Sequence, residues 1–91
     1  MSYVVRFAPA GMNAAKYDEI ISKLDAAGAG SPTGRLYHVC FGDTENLRVS
    51  DIWDSMENFM AFGQKLMPIL QEVGVDPGQP DFLEVYNIIE G

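Results

Sequence analysis

The chain has 91 residues, of which 47% are hydrophobic, and it carries a formal net charge of -7. This length fits a single domain over residues 1–91, and this hydrophobic fraction excludes an intrinsically disordered chain. The acidic balance argues against a nucleic-acid partner or an anionic membrane surface, because both bind through clustered Lys and Arg.

The single cysteine and the N-terminal sequence bear on where the protein resides. Cys40 lies in an apolar strand pattern, which favours a buried thiol in a reducing compartment. The opening sequence MSYVVRF lacks the basic and then long apolar regions of a signal peptide. No apolar run approaches the roughly 20 residues of a membrane helix. We therefore expect a cytoplasmic protein without a membrane partner.

The first part of the chain is predicted to form a strand, a helix and a loop. Alternating apolar residues over positions 3–8 indicate a first strand. Asn13 is a suitable N-cap for a helix over residues 14–27, and Gly28 supplies a left-handed end. The loop GAGSPTG at 28–34 follows a helix and lacks the Gly-Lys-Ser/Thr ending of a phosphate loop, which favours a plain connection.

A hairpin and a second helix follow. A period of two predicts strands over residues 35–41 and 46–53, and the short polar turn between them makes the pair an antiparallel hairpin. Asp54 is the expected N-cap of the second helix, with Glu57 completing a capping box. The apolar face of this helix recurs at spacings of three and four, at Phe59, Phe62, Leu66, Leu70 and Val73.

The last part of the chain contains a proline and a final strand. Pro68 lies inside the helical pattern and lacks an N–H, so we expect a kink there, or a break with a short new helix. Gly74 ends the helical part, and residues 81–89 are predicted to be a strand that is apolar on both faces. The order β-α-β-β-α-β predicts a ferredoxin-like α+β fold, with two helices on one face of a four-stranded antiparallel sheet.

The second face of this sheet suggests a partner. In either phase, every strand keeps apolar residues on the face away from the helices, mixed with polar ones such as Arg6, His38 and Arg48. A mixed surface of this kind is typical of a subunit interface. We therefore expect a homodimer formed through the open sheet face, and the alternative is a monomer with an unusually apolar surface.

The junction between the third strand and the second helix resembles a known family. It reads Ile52-Trp53-Asp54-Ser55, followed on the helix by Phe59, Phe62 and Leu66-Met67-Pro68. This pattern is similar to the dimeric α+β barrel superfamily, and within it to the branch named after antibiotic-biosynthesis monooxygenases. The resemblance implies two sheets that close into a barrel with the helices outside. It also implies a small pocket in each subunit between sheet and helices.

The resemblance implies several activities. Some members of the superfamily are oxygenases that use no cofactor and act on phenolic polyketides, while others degrade haem, isomerise lactones or cyclise polyketides. The haem-degrading branch uses a histidine on the second helix, and this chain has none between Ser55 and Val73. We therefore expect a protein without a cofactor.

Two residues of the third strand are candidate site residues. Trp53 is the sole tryptophan, and it suits either a pocket wall that stacks on a planar substrate or a core plug at the junction. Asp51 precedes it by two residues and shares its face. If that face looks toward the helices, Asp51 is a candidate acid or base. In the opposite phase it lies at the dimer seam or in water.

His38 is the only histidine, and it is the natural general base for abstracting a proton beside a carbonyl. The alternative is an interface or surface residue. A metal site is not expected, because one subunit has no second His and a single Cys.

Further aromatic residues are candidates for contact with an apolar or aromatic ligand. Tyr17, Tyr37 and Tyr86 could donate hydrogen bonds to a substrate oxygen, or they could pack with their hydroxyl groups at the rim. Phe62, on the apolar face of the second helix, is a candidate for contact with the ligand ring.

Three functions fit these residues. The first is a homodimer that binds a small aromatic or polyketide-like molecule and oxidises it as a cofactor-independent monooxygenase. The second is a proton-transfer isomerase or cyclase with His38 as base. The third is a ligand-binding or structural dimer without enzymatic activity. A cavity lined by Trp53 and a titratable group would favour the first two, whereas a fully packed core would favour the third.

Overall fold

The computed structural model describes residues 2–91 and contains one sheet and two helices. In chain order the elements are β1 (Tyr3–Phe7), α1 (Ala14–Ala26), β2 (Arg35–Asp43), β3 (Asn46–Trp53), α2 (Met56–Val73) and β4 (Asp81–Glu84). The four strands are antiparallel in the order β2-β3-β1-β4. This arrangement confirms the predicted ferredoxin-like α+β fold. None of the helices in the described part of the chain is long and apolar enough to cross a membrane.

Strand register decides which side chains face the helices. Asp51 of β3 is paired with Val5 of β1 on one side and with His38 of β2 on the other. Residues directly opposite each other project to the same face of a sheet. Val5 and Trp53 are 0% exposed and Asp51 is 3% exposed. The helices therefore cover the face that carries Asp51, which settles the phase that the sequence left open.

Trp53 anchors the core where β3 ends. Its ring centroid lies 5.6 Å from that of Phe59 and 5.3 Å from that of Phe62, both on α2. From α1, Ile20 and Leu24 are buried in the same cluster. Large apolar side chains contribute about 1.5–3 kcal/mol each when fully buried. The apolar stripes of both helices therefore hold the helix layer on this side of the sheet.

The helix ends follow the predicted caps with one correction. Asn13 is the N-cap of α1, as predicted. The N-cap of α2 is Ser55, whose hydroxyl accepts from the backbone N–H of Asn58, so the assignment of Asp54 is wrong by one residue. The physical reason is that the Asp54 N–H donates to the carbonyl of Gly34, which keeps Asp54 tied to the preceding strand connection.

In the second half of the chain, the structure differs from the predicted elements at two points. α2 is one helix that continues through Pro68, so the predicted break is wrong, and it ends at Gly74 in the left-handed region as predicted (φ 85°). β4 stops at Glu84, five residues short of the predicted end at 89. Glu84 is paired with Tyr3, the first residue of β1, so the partner strand ends at the same level.

Candidate functional site

A cavity of about 70 Å³ lies between the sheet and the two helices. Apolar side chains from both helices and from β1 and β3 make most of its wall, including Phe7, Ile20, Leu24, Val49, Phe62 and Leu66. The polar residues of the wall are Tyr17, Arg35, His38 and Asp51. Since one water needs roughly 10–15 Å³ of such space, and a cavity that holds benzene is about 150 Å³, the cavity has room for several waters, and a ring would require its walls to move apart.

Three of the polar residues form a hydrogen-bonded chain. Oδ1 of Asp51 lies 2.5 Å from Nδ1 of His38, and Nε2 of His38 lies 2.7 Å from the hydroxyl oxygen of Tyr17. The indole N–H of Trp53 donates to the other carboxylate oxygen of Asp51 at 3.4 Å. In the neutral tautomer with the proton on Nδ1, that N–H donates to the Asp51 carboxylate and Nε2 accepts from the Tyr17 hydroxyl.

The chain is assembled from neighbouring strands and one helix. His38 and Asp51 are directly opposite in the β2–β3 ladder, which brings their Cβ atoms to about 4.5–5.5 Å. Tyr17 comes from the first half of α1, and its ring is nearly parallel to the imidazole, with 6.1 Å between centroids and 5° between planes, so the two rings meet edge to edge through the hydroxyl. The sheet therefore fixes the His38–Asp51 pair, and the helix places the hydroxyl over it.

Burial sets the electrostatics of this chain. The side chain of Asp51 is 5% exposed and that of His38 is 22% exposed. Burial raises the pKa of the Tyr17 hydroxyl, and the nearby Cys40 thiol adds to this, while the Arg35 guanidinium opposes it. Tyr17 is therefore a neutral hydroxyl at ordinary pH, and it remains a hydrogen-bond donor to His38.

The arrangement has the parts of a general base. Nε2 of His38 is hydrogen-bonded to Tyr17, which lines the cavity with it, and the buried carboxylate of Asp51 orients the ring through Nδ1 and can stabilise an imidazolium. Tyr17 occupies the position from which a substrate proton would reach Nε2. A substrate must therefore displace the Tyr17 hydroxyl or transfer its proton through it.

The structure brings some of the predicted site residues together and separates others. Tyr17, His38, Asp51 and Phe62 all line the cavity. Trp53 is fully buried, contacts Phe62 and is not in the cavity wall, so it occupies the core position, and of the two features expected of a ligand cavity only the titratable groups line it. Tyr37 is 57% exposed and is paired with Ile52 on the opposite face of the sheet. Tyr86 is fully exposed beyond the end of β4.

Arg35 is a cavity residue that the sequence analysis did not single out. The register of β2 shifts between Arg35 and Tyr37, so that Arg35 is paired with Trp53, and Tyr37 with Ile52. Strict alternation would place Arg35 and His38 on opposite faces, but the extra residue Leu36 turns both toward the helices. The local sequence pattern does not indicate this bulge. In the structure, the bulge leaves the side chain of Leu36 58% exposed.

Acidic and sulfur ligands do not gather around the cavity. Within residues 2–91 there is no group of three or more His, Cys, Asp or Glu residues placed to hold a metal ion. The thiol of Cys40 is unpaired with another cysteine, and burial raises its pKa. The polar groups of the cavity wall are the imidazole, carboxylate, phenol and guanidinium already described.

The fold of this chain is similar to the folds of several solved structures. No family model and no curated protein matches the chain. SnoaB, a cofactor-independent oxygenase from Streptomyces nogalater, aligns with a TM-score of 0.64 at 12% identity, covering 99% of this chain and 96% of that one. A candidate antibiotic biosynthesis monooxygenase from Chloroflexus aurantiacus aligns with a TM-score of 0.60 at 17% identity over 100% of both chains.

A third solved structure shows somewhat higher identity. It is a candidate monooxygenase from Shewanella loihica, with a TM-score of 0.55 and 26% identity over 97% of this chain and 99% of that one. All three alignments extend over nearly the whole of both chains. The chain therefore has the fold of the antibiotic-biosynthesis monooxygenase domain proteins, as the resemblance at the strand–helix junction predicted.

Proposed function

We propose that the cavity binds a small aromatic or polyketide-like molecule and that the protein oxidises it with O₂ without a cofactor. The observation that carries the proposal is the hydrogen-bonded chain of Tyr17, His38 and Asp51 in the wall of an otherwise apolar cavity. The likeness in fold to a cofactor-independent oxygenase supports the same chemistry.

The proposed reaction starts with proton transfer to the protein. Nε2 of His38 takes a proton from a phenol or from a CH₂ group beside a carbonyl, and Asp51 stabilises the imidazolium. The substrate anion gives one electron to O₂, and the resulting radical and superoxide join to form a C–O bond. Loss of water then converts CH₂ to C=O, so one oxygen atom enters the product and the other leaves as water. The sum is balanced without an outside reductant.

The apolar wall has a defined part in this scheme. The wall has few polar groups. In a cavity that holds little water, the hydrogen bonds that these groups donate to the substrate anion are stronger than in bulk water. The ring of Phe62 is part of the apolar wall that an aromatic ligand would contact. Trp53 supports that ring from the core and holds the second carboxylate oxygen of Asp51, which makes it a positioning residue.

Oxygen uptake tests the proposal directly. The protein is offered a panel of small phenols and cyclic 1,3-diketones in an oxygen electrode, and we expect uptake with at least one of them. His38→Ala should lower the rate by roughly 10²–10⁴-fold, because it removes the base. Tyr86→Phe, which changes a fully exposed side chain, is the matched control. Uptake that survives His38→Ala, or no uptake across the panel, would overturn the proposal.

The same base also suits the second function, proton-transfer isomerisation or cyclisation with His38. Nε2 and the Asp51 carboxylate can remove and return a proton with no oxidant involved. In D₂O under argon, this function predicts deuterium incorporation or product formation that depends on His38. The non-enzymatic alternative predicts ligand binding with neither exchange nor oxygen uptake.

We further propose that two copies of the chain pack through the open sheet face. Tyr37, Ile52, Val4 and Leu83 are paired in one row across all four strands on that face. Tyr37 is 57% exposed and Leu83 is 48% exposed, and each such side chain would contribute roughly 1.5–3 kcal/mol on full burial. Sedimentation velocity should give the mass of a dimer, and a stable monomer at micromolar concentration would refute this assembly.

A further inference from the structure

Arg35 brings a positive charge into the wall of the apolar cavity. We infer that the ligand is a planar aromatic or enolic molecule that carries a carboxylate. Arg35 is the specificity residue that binds this carboxylate. The inference rests on the proposed function, because it names the substrate class of the same cavity. It is carried by the position, the unmatched charge and the free donors of Arg35.

The position of Arg35 follows from the bulge at the start of β2. The pairing of Arg35 with Trp53 and of His38 with Asp51 places both side chains on the helix-covered face. The two pairs are two residues apart on β3, which corresponds to about 7 Å along the strand. This is the scale of one benzene ring with substituents at opposite ends. A carboxylate on Arg35 would thus leave the far end of the ring beside the imidazole.

The charge of Arg35 is not matched within the chain. Arg6 is paired with Asp81, and Lys23 is paired with Glu72, but Arg35 makes no ion pair with any Asp or Glu of residues 2–91. One N–H of its guanidinium donates to the carbonyl of Gly30 at 3.0 Å. Because a guanidinium has five N–H donors, others remain for a ligand.

The surroundings of Arg35 suit recognition of a carboxylate on a flat molecule. The guanidinium carbon lies 5.8 Å from the centre of the Phe62 ring, which restrains the group against the apolar wall. Two parallel N–H donors can bind both oxygens of a carboxylate, and these bonds strengthen where water is scarce. The net charge of -7 would otherwise repel an anionic ligand, so a local cation is needed.

A matched ligand pair tests this inference. The probes are 4-hydroxybenzoate and its neutral analogue 4-hydroxybenzamide, titrated into the ¹⁵N-labelled full chain. The indole N–H of Trp53 is a unique reporter, because Trp53 is the sole tryptophan and packs against Phe62. We expect the carboxylate to bind at least about tenfold more tightly than the amide, as a charge-assisted pair requires.

Three variants separate recognition from structure. Arg35→Gln should remove the preference for the carboxylate, and Arg35→Lys, which keeps the charge, should retain part of it. Lys65→Gln removes an exposed cation of α2 and should leave the preference unchanged. The backbone amide spectrum shows whether each variant is folded, and Arg35→Lys keeps the inference testable if Arg35→Gln does not fold.

The outcomes are distinct. A preference that disappears only in the Arg35 variants supports the inference. Equal binding of both probes to the wild-type protein, or a preference that survives Arg35→Gln, overturns it and leaves the proposed cavity function in place. Binding of neither probe overturns the inference and also counts against the cavity as a site for small phenols.

Discussion

The hydrogen bond between Asp51 and His38 leads to a quantitative prediction about stability. The perturbation is a double-mutant cycle made of Asp51→Ala, His38→Ala and the double variant. Each single change removes one partner of the same bond, so the two effects should not add. The cycle isolates the energy with which these two side chains stabilise each other.

The magnitude follows from burial and bond type. A hydrogen bond to a charged group contributes about 1.5–3 kcal/mol, and His38 is partly exposed, so we expect a coupling near 1.5 kcal/mol. Asp51→Ala also leaves the indole N–H of the fully buried Trp53 without its acceptor. The total loss for that variant should be about 2–3 kcal/mol. A domain of this size has a stability of roughly 5 kcal/mol or more, so the variants remain folded.

Urea unfolding followed by circular dichroism at pH 7 measures the four free energies. All four proteins are compared at one protein concentration, because dimer formation would make stability concentration-dependent. Tyr86→Phe serves as the control and should change stability by less than about 0.5 kcal/mol. A coupling energy below about 0.5 kcal/mol would refute the reasoning that Asp51 and His38 stabilise each other through this hydrogen bond.

Three further predictions concern the core, the sheet and high pH. Trp53→Ala should cost about 3–5 kcal/mol and leave little folded protein at 37 °C by circular dichroism, whereas a sharp native melt would contradict the core position of Trp53. Leu83→Glu should convert the proposed dimer to a monomer in sedimentation velocity, while Gln64→Glu on the exposed face of α2 should not; if both variants sediment as dimers, this face is not the interface. Because the pKa of Tyr17 is raised in the folded state, its contribution to stability is complete below pH 10 and is lost as pH rises through that raised pKa. Urea unfolding should therefore show a smaller loss above pH 10 in Tyr17→Phe, and identical profiles would contradict the burial of this hydroxyl.

Local periodicity was sufficient for the order of elements and for the shared face of Asp51 and Trp53. Both depend on spacing along the chain, which a sequence displays directly. Which face of the sheet meets the helices depends on strand pairing, so the burial of Asp51 required the register with Val5 and His38. The contact between Tyr17 and His38 joins residues 21 positions apart and has no local signal.

Besides the break expected at Pro68, two local predictions failed for reasons of tertiary context. The cap moved from Asp54 to Ser55 because the Asp54 N–H is already bonded to Gly34. The last strand is shorter than its apolar pattern because its partner β1 ends. The bulge before Tyr37 places Arg35 on the helix-covered face, and a single extra residue of this kind cannot be read from alternation alone.

His38 and the Tyr17 hydroxyl that bonds to it belong to different layers of the molecule, the sheet and the helix layer. His38 and Asp51 lie on strands joined by main-chain pairing, whereas the hydroxyl at Nε2 belongs to α1, which is held by side-chain packing and, at its first residue, by one main-chain bond from Ala14 to the carbonyl of Thr44. An outward displacement of α1 would therefore uncover Nε2 and widen the cavity, while the imidazole kept its orientation on the carboxylate. The hydroxyl at Nε2 and the His38–Asp51 pair thus belong to different layers, and under the proposed function a ligand that displaced Tyr17 would leave that pair in place.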